Sequence, residues 1–202
     1  MAVAVKRRMT RPERRELIID AAERAFRGRD PASVTFEDIA DQAEISRSLV
    51  YSYFKDRTEL LEAVRERSEA LLRADVTKAL MTAHGRLDAL TAAVRVHLEF
   101  ARRDRTAYHY ATGVTPDRPR SATEERLVHE LAELFGRTEE GTLIGLGIVC
   151  ALRAMTSEHV LSPPDDDERA VALITAFLGG GIGGLAELGI TLTPTWPVPC
   201  DG

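Results

Sequence analysis

Between Glu44 and Arg57 the 202-residue chain reads EISRSLVYSYFKDR, with three serines, three aromatic residues, three cations and acids only at Glu44 and Asp56. Elsewhere no His, Asp and Ser set is placed by a motif, and Cys150 and Cys200 sit in no CxxC or Cys/His metal spacing. The chemistry that the stretch can do is recognition of phosphates and base edges. At about 100° per residue on a helix, Val50 and Phe54 point one way and Ser48 and Ser52 the opposite way. Arg47, Leu49 and Tyr51 flank the outward face, and Tyr53 lies near its inner border. Small hydroxyl residues at the centre of such a face let a helix approach a groove closely. Serine can bond a base edge, arginine can grip guanine and leucine can touch a thymine methyl. Tyr51, Tyr53, Lys55 and Arg57 suit phosphate oxygens, which hold a helix in register without reading sequence.

That helix needs a support, and the preceding residues supply one. The apolar spacing predicts a first helix from about Pro12 to Arg27, with Leu17, Ile18, Ala21, Ala22, Ala25 and Phe26 as its buried stripe and Gly28 as its stop. A short second helix starts after Thr35, with Asp38 placed as the acid of a capping box and Phe36, Ile39, Ala40 and Ala43 turned inward. Ser46 caps the third helix, which reaches about Phe54. Two short helices joined by so few residues fit a helix-turn-helix. A long helix follows from about Thr58 to Leu80, with Leu60, Leu61, Val64, Ala70, Leu71, Val76 and Leu80 as its stripe. Further helices are expected at Leu87–Arg103, Arg105–Ala111, Ser121–Phe135, Glu139–Val160 and Asp166–Leu188. GVTPDRP, GRT and SPPDDD punctuate them, and TLTPTWPVPCDG reads as a coil tail.

The fold class is therefore all-α, with a helix-turn-helix domain at 1–58 behind a disordered basic arm at about 1–11, and a helical bundle at 59–202. The net charge of −5 is unevenly spread: residues 1–60 hold twelve cations against eleven acids, and residues 1–15 six against one. A nucleic-acid partner is thus compatible with an acidic chain. MAVAVKRRMTRPERR has no apolar run behind its cations, so it is no signal peptide. The uncharged run from Ala170 to Ala186 is short and glycine-rich for a membrane span. Reduced thiols, no membrane and a cytoplasmic location follow as expectations.

At residues 14–64 the chain resembles the DNA-binding domain of tetracycline-repressor (TetR) family regulators. IIDAAERAF matches the first helix, TFEDIADQA the support helix, ISRSLVYSYF the recognition helix and KDRTELLEAV the start of the connecting helix. The resemblance implies that Thr35 caps the support helix near a phosphate and that Tyr51 and Tyr53 contact the DNA backbone. It also implies that Arg57 binds phosphate and that Arg47 and Ser48 open the recognition helix. Three residues depart from the pattern: Glu44 stands where the family usually has glycine, Leu49 replaces a small hydroxyl residue, and Glu37 is an acid where a cation would suit DNA.

The resemblance further implies a second, helical domain that binds a small effector and forms a homodimer through the last two long helices. Both helices are apolar on most sides, and their glycines permit close approach or a break at GGGIGG. Candidate effector residues are His97, Phe100, Tyr108, His109, Tyr110, Met155 and His159, whose character suits a largely apolar ligand. The function expected is a ligand-responsive regulator, a repressor released from a pseudo-palindromic operator, with no cofactor and no catalysis. A ligand-independent DNA-binding protein is the alternative of the same class. An α-helical enzyme, or an interaction module without DNA binding, is the alternative of another.

Overall fold

The computed structural model describes residues 9–27, 29, 33–112, 122–133, 135, 138–161 and 166–185. Most of the basic arm, Gly28, Cys200 and the proline-rich tail lie outside the described residues. Among the described residues there are nine α-helices and no strand. They are α1 (Arg11–Phe26), α2 (Phe36–Gln42), α3 (Arg47–Tyr53), α4 (Arg57–Leu80), α5 (Arg86–Arg103), α6 (Arg105–Thr112), α7 (Ala122–Glu133), α8 (Glu139–Leu161) and α9 (Asp167–Gly184). Contacts divide the chain into two compact units, Met1–Arg67 and Ser68–Gly202.

In the first unit each short helix starts on a side-chain cap. The Thr10 hydroxyl accepts from the Glu13 amide and the Glu13 carboxylate accepts from the Thr10 amide at 2.7 Å, so α1 begins at Arg11 with its own capping box. The Thr35–Asp38 box at α2 is present as expected, with the Thr35 amide donating to Asp38 at 2.8 Å. Ser46 accepts from the Leu49 amide at 3.3 Å and starts α3. One expectation for α1 is corrected: Ile19 is buried and Leu17 only half-buried, because the face pressed on α2 is broader than a single stripe. Ile18, Phe26, Ile39, Val50, Phe54, Leu60 and Val64 fill the core of this unit. Arg67 of α4 bonds Glu16, Asp20 and Glu23, which all lie on α1.

The turn between α2 and α3 is a Schellman motif. The Ile45 amide bonds the Ala40 carbonyl at 3.0 Å, the Glu44 amide bonds the Asp41 carbonyl at 3.2 Å, and Glu44 sits at φ 53°. That left-handed position favours glycine, and a side chain there costs roughly 1–2 kcal/mol. Glu44→Gly relieves that strain but loosens the unfolded chain by about 0.4–1 kcal/mol. The net expectation is a stabilisation of about 0.5–1 kcal/mol, read as a rise of roughly 2 °C in thermal unfolding. An unchanged or lower midpoint would show that Glu44 makes compensating interactions.

In the second unit, α5 carries the core. Val94 and Leu98 pack with Leu152 of α8 and with Val171, Ile174 and Leu178 of α9. Phe100 and Ala101 pack with Leu72 of α4 and Tyr108 of α6. This corrects the expected stripe of α4: Leu71 and Ala70 are exposed and Leu72 is buried. A helix of 24 residues turns its contact face as its neighbours change, and α5 meets it one position further on. Segment Glu139–Val160 of α8 is long and apolar enough to cross a membrane by length and composition, yet here it packs against α7 and α5 and buries Arg153 and Thr156.

Helix α9 runs unbroken to Gly184, so the described part of GGGIGG is helix and not a break. Burial of Ile174, Thr175 and Leu178 on the opposite side outweighs the weak propensity of glycine. Close approach within the chain occurs instead at α7 and α8. A Cβ on Gly145 would lie 2.9 Å from the Val128 carbonyl oxygen, and one on Gly141 2.9 Å from that of Ala132. Gly145→Ala must push the two backbones apart. Overpacking of this kind costs roughly 1–3 kcal/mol against a propensity gain of nearly 1 kcal/mol, so a net loss of about 1 kcal/mol is expected. Urea unfolding of the variant checks it, and a gain in stability would contradict the close packing.

Candidate nucleic-acid interface

Helix α3 presents two faces of opposite character. Val50 and Phe54 are fully buried, while Arg47, Ser48, Tyr51 and Ser52 are exposed and Leu49 and Tyr53 half-buried. The wheel drawn from the sequence is therefore the arrangement found. The capping residues set where this face begins: Ser46 is exposed at the N-terminus, and its hydroxyl shares a 3.0 Å hydrogen bond with that of Ser48. The Ser52 hydroxyl donates to the Leu49 carbonyl at 2.7 Å, which leaves its lone pairs outward. Thr35 is exposed beside α3, and its hydroxyl is engaged with Asp38. That bond to Thr35, first through its amide, holds the Asp38 carboxyl below the usual carboxylate range.

The aromatic residues are anchored individually. The Tyr51 ring leans on Phe36 of α2 with centroids 4.8 Å apart, and the Tyr51 hydroxyl accepts from the Arg47 guanidinium at 3.3 Å. Arg47 also lies 5.6 Å from the Tyr51 ring centroid and 3.9 Å from the Glu37 carboxylate. Arg11 lies 5.7 Å from the ring of Tyr53, and Arg15 5.2 Å from that of Phe54. Lys55 is exposed beyond the end of α3, where its amide donates to Glu59 at 2.7 Å. Arg57, at the first position of α4, is half-buried.

Of the ten residues singled out for DNA, eight are α3 residues, its N-cap Ser46 or the first residue of α4, Lys55 lies in the link between α3 and α4, and Thr35 is the N-cap of α2. Sequence reasoning missed Arg11 and Arg15. Their spacing of four puts both on one face of α1, a signal that could have joined them to the tyrosines. With serine hydroxyls at the centre and cations over aromatic rings at the rim, this surface can grip phosphates at its edges and offer donors and acceptors between them.

The second set of candidates splits into three groups. His97, Phe100 and Tyr108 come together: His97 Nδ1 and the Tyr108 hydroxyl are 3.2 Å apart, and the Phe100 and Tyr108 ring centroids 6.4 Å. Burial, and then the Arg153 charge, push the His97 pKa down to about 3. Met155 packs instead against the cluster around Val94 and Ile174. His159 Nε2 lies 2.8 Å from Asp167, which also accepts from Arg102 at 2.9 Å. Tyr110 is half-buried with its ring 6.1 Å from that of the exposed His109. Phe100 also borders a cleft of about 330 Å³ whose rim holds Asp75, Lys78, Glu99 and Arg103. Arg103 closes over the Phe100 ring at 4.8 Å and donates to Asp75 at 3.1 Å.

Comparison with known proteins agrees with this geometry. The sequence model of bacterial regulatory proteins of the tetR family matches residues 18–64, which span α2, α3 and their supports. The HTH-type transcriptional activator FasR of Mycolicibacterium smegmatis is 27% identical over 188 residues, covering 87% of this chain and 85% of that protein. The HTH-type transcriptional regulator BetI of Agrobacterium fabrum is 29% identical over 170 residues, covering 84% of this chain and 75% of that protein. A TetR-like transcriptional regulator from Rhodococcus sp. RHA1 shares the fold, with a TM-score of 0.67 at 22% identity over 88% of this chain and all of that one. The capped helix-turn-helix and the relatives that align along most of the chain make the same statement: residues 18–64 are a helix-turn-helix of the TetR family, and along most of its length the chain is similar to DNA-binding transcriptional regulators.

Proposed function

We propose that this regulator acts in the cytoplasm as a homodimeric repressor, released from a pseudo-palindromic operator by a small, largely apolar effector. The observation that carries the reading is α3 itself, a helix of seven residues pinned by Val50 and Phe54 with its serines, Arg47 and Tyr51 turned to solvent. Thr35, Ser46, Arg47, Ser48, Leu49, Tyr51, Ser52, Tyr53, Lys55 and Arg57 form its DNA surface, with Arg47 and Ser48 reading bases and Tyr53, Lys55 and Arg57 gripping phosphates.

Support for a dimer comes from α8 and α9. Leu173 and Phe177 of α9 and Leu143 of α8 are exposed, and no charged residue lies between Arg169 and Glu187. An uncharged stripe of this kind buries itself against a second copy. Support for an effector comes from the buried group of His97, Phe100 and Tyr108, of which Phe100 borders the cleft between α4 and α5. Two solved proteins of the same fold bear on the ligand class: AibR was crystallised with isovaleryl coenzyme A and operator DNA, and a TetR variant from Acinetobacter baumannii with minocycline. Effector binding would act by its differential affinity for two dimer geometries, only one of which spaces the two α3 helices for successive major grooves.

Selection from a pool of random duplexes tests the reading. The proposal expects enrichment of an inverted repeat whose half-sites lie about one helical turn apart. Enrichment of a lone half-site would contradict the dimer, and no enrichment would contradict sequence-specific binding.

A further inference from the structure

We propose that Glu37 is a positioning residue that sets the selectivity of α3 by holding Arg47 in a base-reading pose. The inference rests on the reading of α3 as the helix that enters the groove.

Arginine is the most capable guanine reader and also the side chain most readily diverted to phosphate. A free guanidinium at the start of a recognition helix would reach either target, and only one of the two carries sequence information. Arg47 is not free. Its guanidinium is bonded to the Tyr51 hydroxyl at 3.3 Å, lies over the Tyr51 ring at 5.6 Å and faces Glu37 at 3.9 Å. Tyr51 is itself braced on Phe36, which is buried in the body of the unit. The two partner residues come one from each helix of the motif, so the fork is held from two sides.

Glu37 has a second effect through its charge. It is exposed in the first turn of α2, and a phosphate drawn toward Arg47 would meet a carboxylate beside it. Guanine presents neutral acceptors, so the same carboxylate penalises it far less. The acid at position 37, a poor choice for affinity, is a useful one for discrimination.

The test is a double-mutant cycle with Glu37→Gln, Arg47→Ala and the pair. Anisotropy titrations would compare a duplex selected by the wild type with a scrambled duplex of equal length, at one salt concentration. Because the ion pair is exposed, Glu37→Gln is expected to tighten binding to scrambled DNA by roughly two- to fivefold. The selected duplex should gain less, so the preference shrinks. In the Arg47→Ala background the same substitution should leave the preference unchanged. Equal tightening on both duplexes would overturn the proposal in favour of a general charge effect, as would an undiminished change without Arg47. A wild type with no preference among duplexes would overturn the nucleic-acid reading itself, and this inference with it.

Discussion

Arg47→Ala is expected to change which operator the protein prefers, whereas Arg57→Ala and Tyr53→Phe should weaken binding to every sequence about equally. The difference follows from position. Arg47 opens the exposed face of α3 and presents a forked donor set, which suits the paired acceptors of guanine. Losing one such contact costs roughly 1–3 kcal/mol at the base that it reads, a five- to hundredfold loss there and little elsewhere. Arg57 starts α4 and Tyr53 ends α3, at the rim of the surface, where the groove wall and its phosphates would lie. Each should remove about one phosphate contact, and Arg57→Ala, which also removes a charge, should lower the salt slope by about one while Tyr53→Phe leaves it unchanged. Selections repeated with each variant separate the two classes. A uniform loss from Arg47→Ala, or a changed consensus from Arg57→Ala, would reverse the roles assigned here.

Acid should destabilise the second unit through His97, beginning near neutral pH. Its pKa falls from 6.5 to about 3 in the fold, chiefly because burial disfavours the charged ring and secondly because Arg153 repels it. Above pH 6.5 the folded and unfolded states are both neutral at this residue, so it contributes no pH dependence. Below pH 6.5 the unfolded chain takes a proton that the fold refuses, and stability falls by up to about 1.4 kcal/mol per pH unit until about pH 3. Asp38, Asp167 and Glu168 have lowered pKa values, so their contributions fade only as the pH drops below the carboxylate range. The window from pH 6.5 to 5 therefore belongs to His97. Between pH 8 and pH 5 the wild type should lose about 2 kcal/mol more than His97→Gln, which keeps a partner for the Tyr108 hydroxyl but cannot titrate. Urea unfolding at the two pH values measures this. Parallel losses in both proteins would place the proton elsewhere.

What could be read from the sequence was what local chemistry determines. The Thr35–Asp38 box, the Ser46 cap and the two-faced α3 each depend on residues within four positions of one another. The left-handed Glu44 was likewise visible as an acid at a position that favours glycine. Legibility failed where a distant element decides. Whether Leu71 or Leu72 of α4 is buried depends on where Phe100 and Tyr108 arrive. Gly145 is tight and Gly147 open because α7 crosses only one of them. At the interface, Arg47 and its i,i+4 neighbour Tyr51 could be named from type and spacing, but the restraint of Arg47 by Glu37 could not. That restraint needs α2 folded back against α3, which no single helical wheel contains.

The central claim is that α3 binds DNA through a phosphate-gripping rim around a base-reading centre. The most direct measurement is wild-type affinity for its selected duplex across a salt series. Log affinity should fall linearly with log salt, and a dimer whose rims neutralise about six to ten phosphates would lose roughly 10³–10⁵ between 50 and 200 mM. A selected duplex bound with affinity indifferent to salt, or no duplex bound at any salt, would contradict the account.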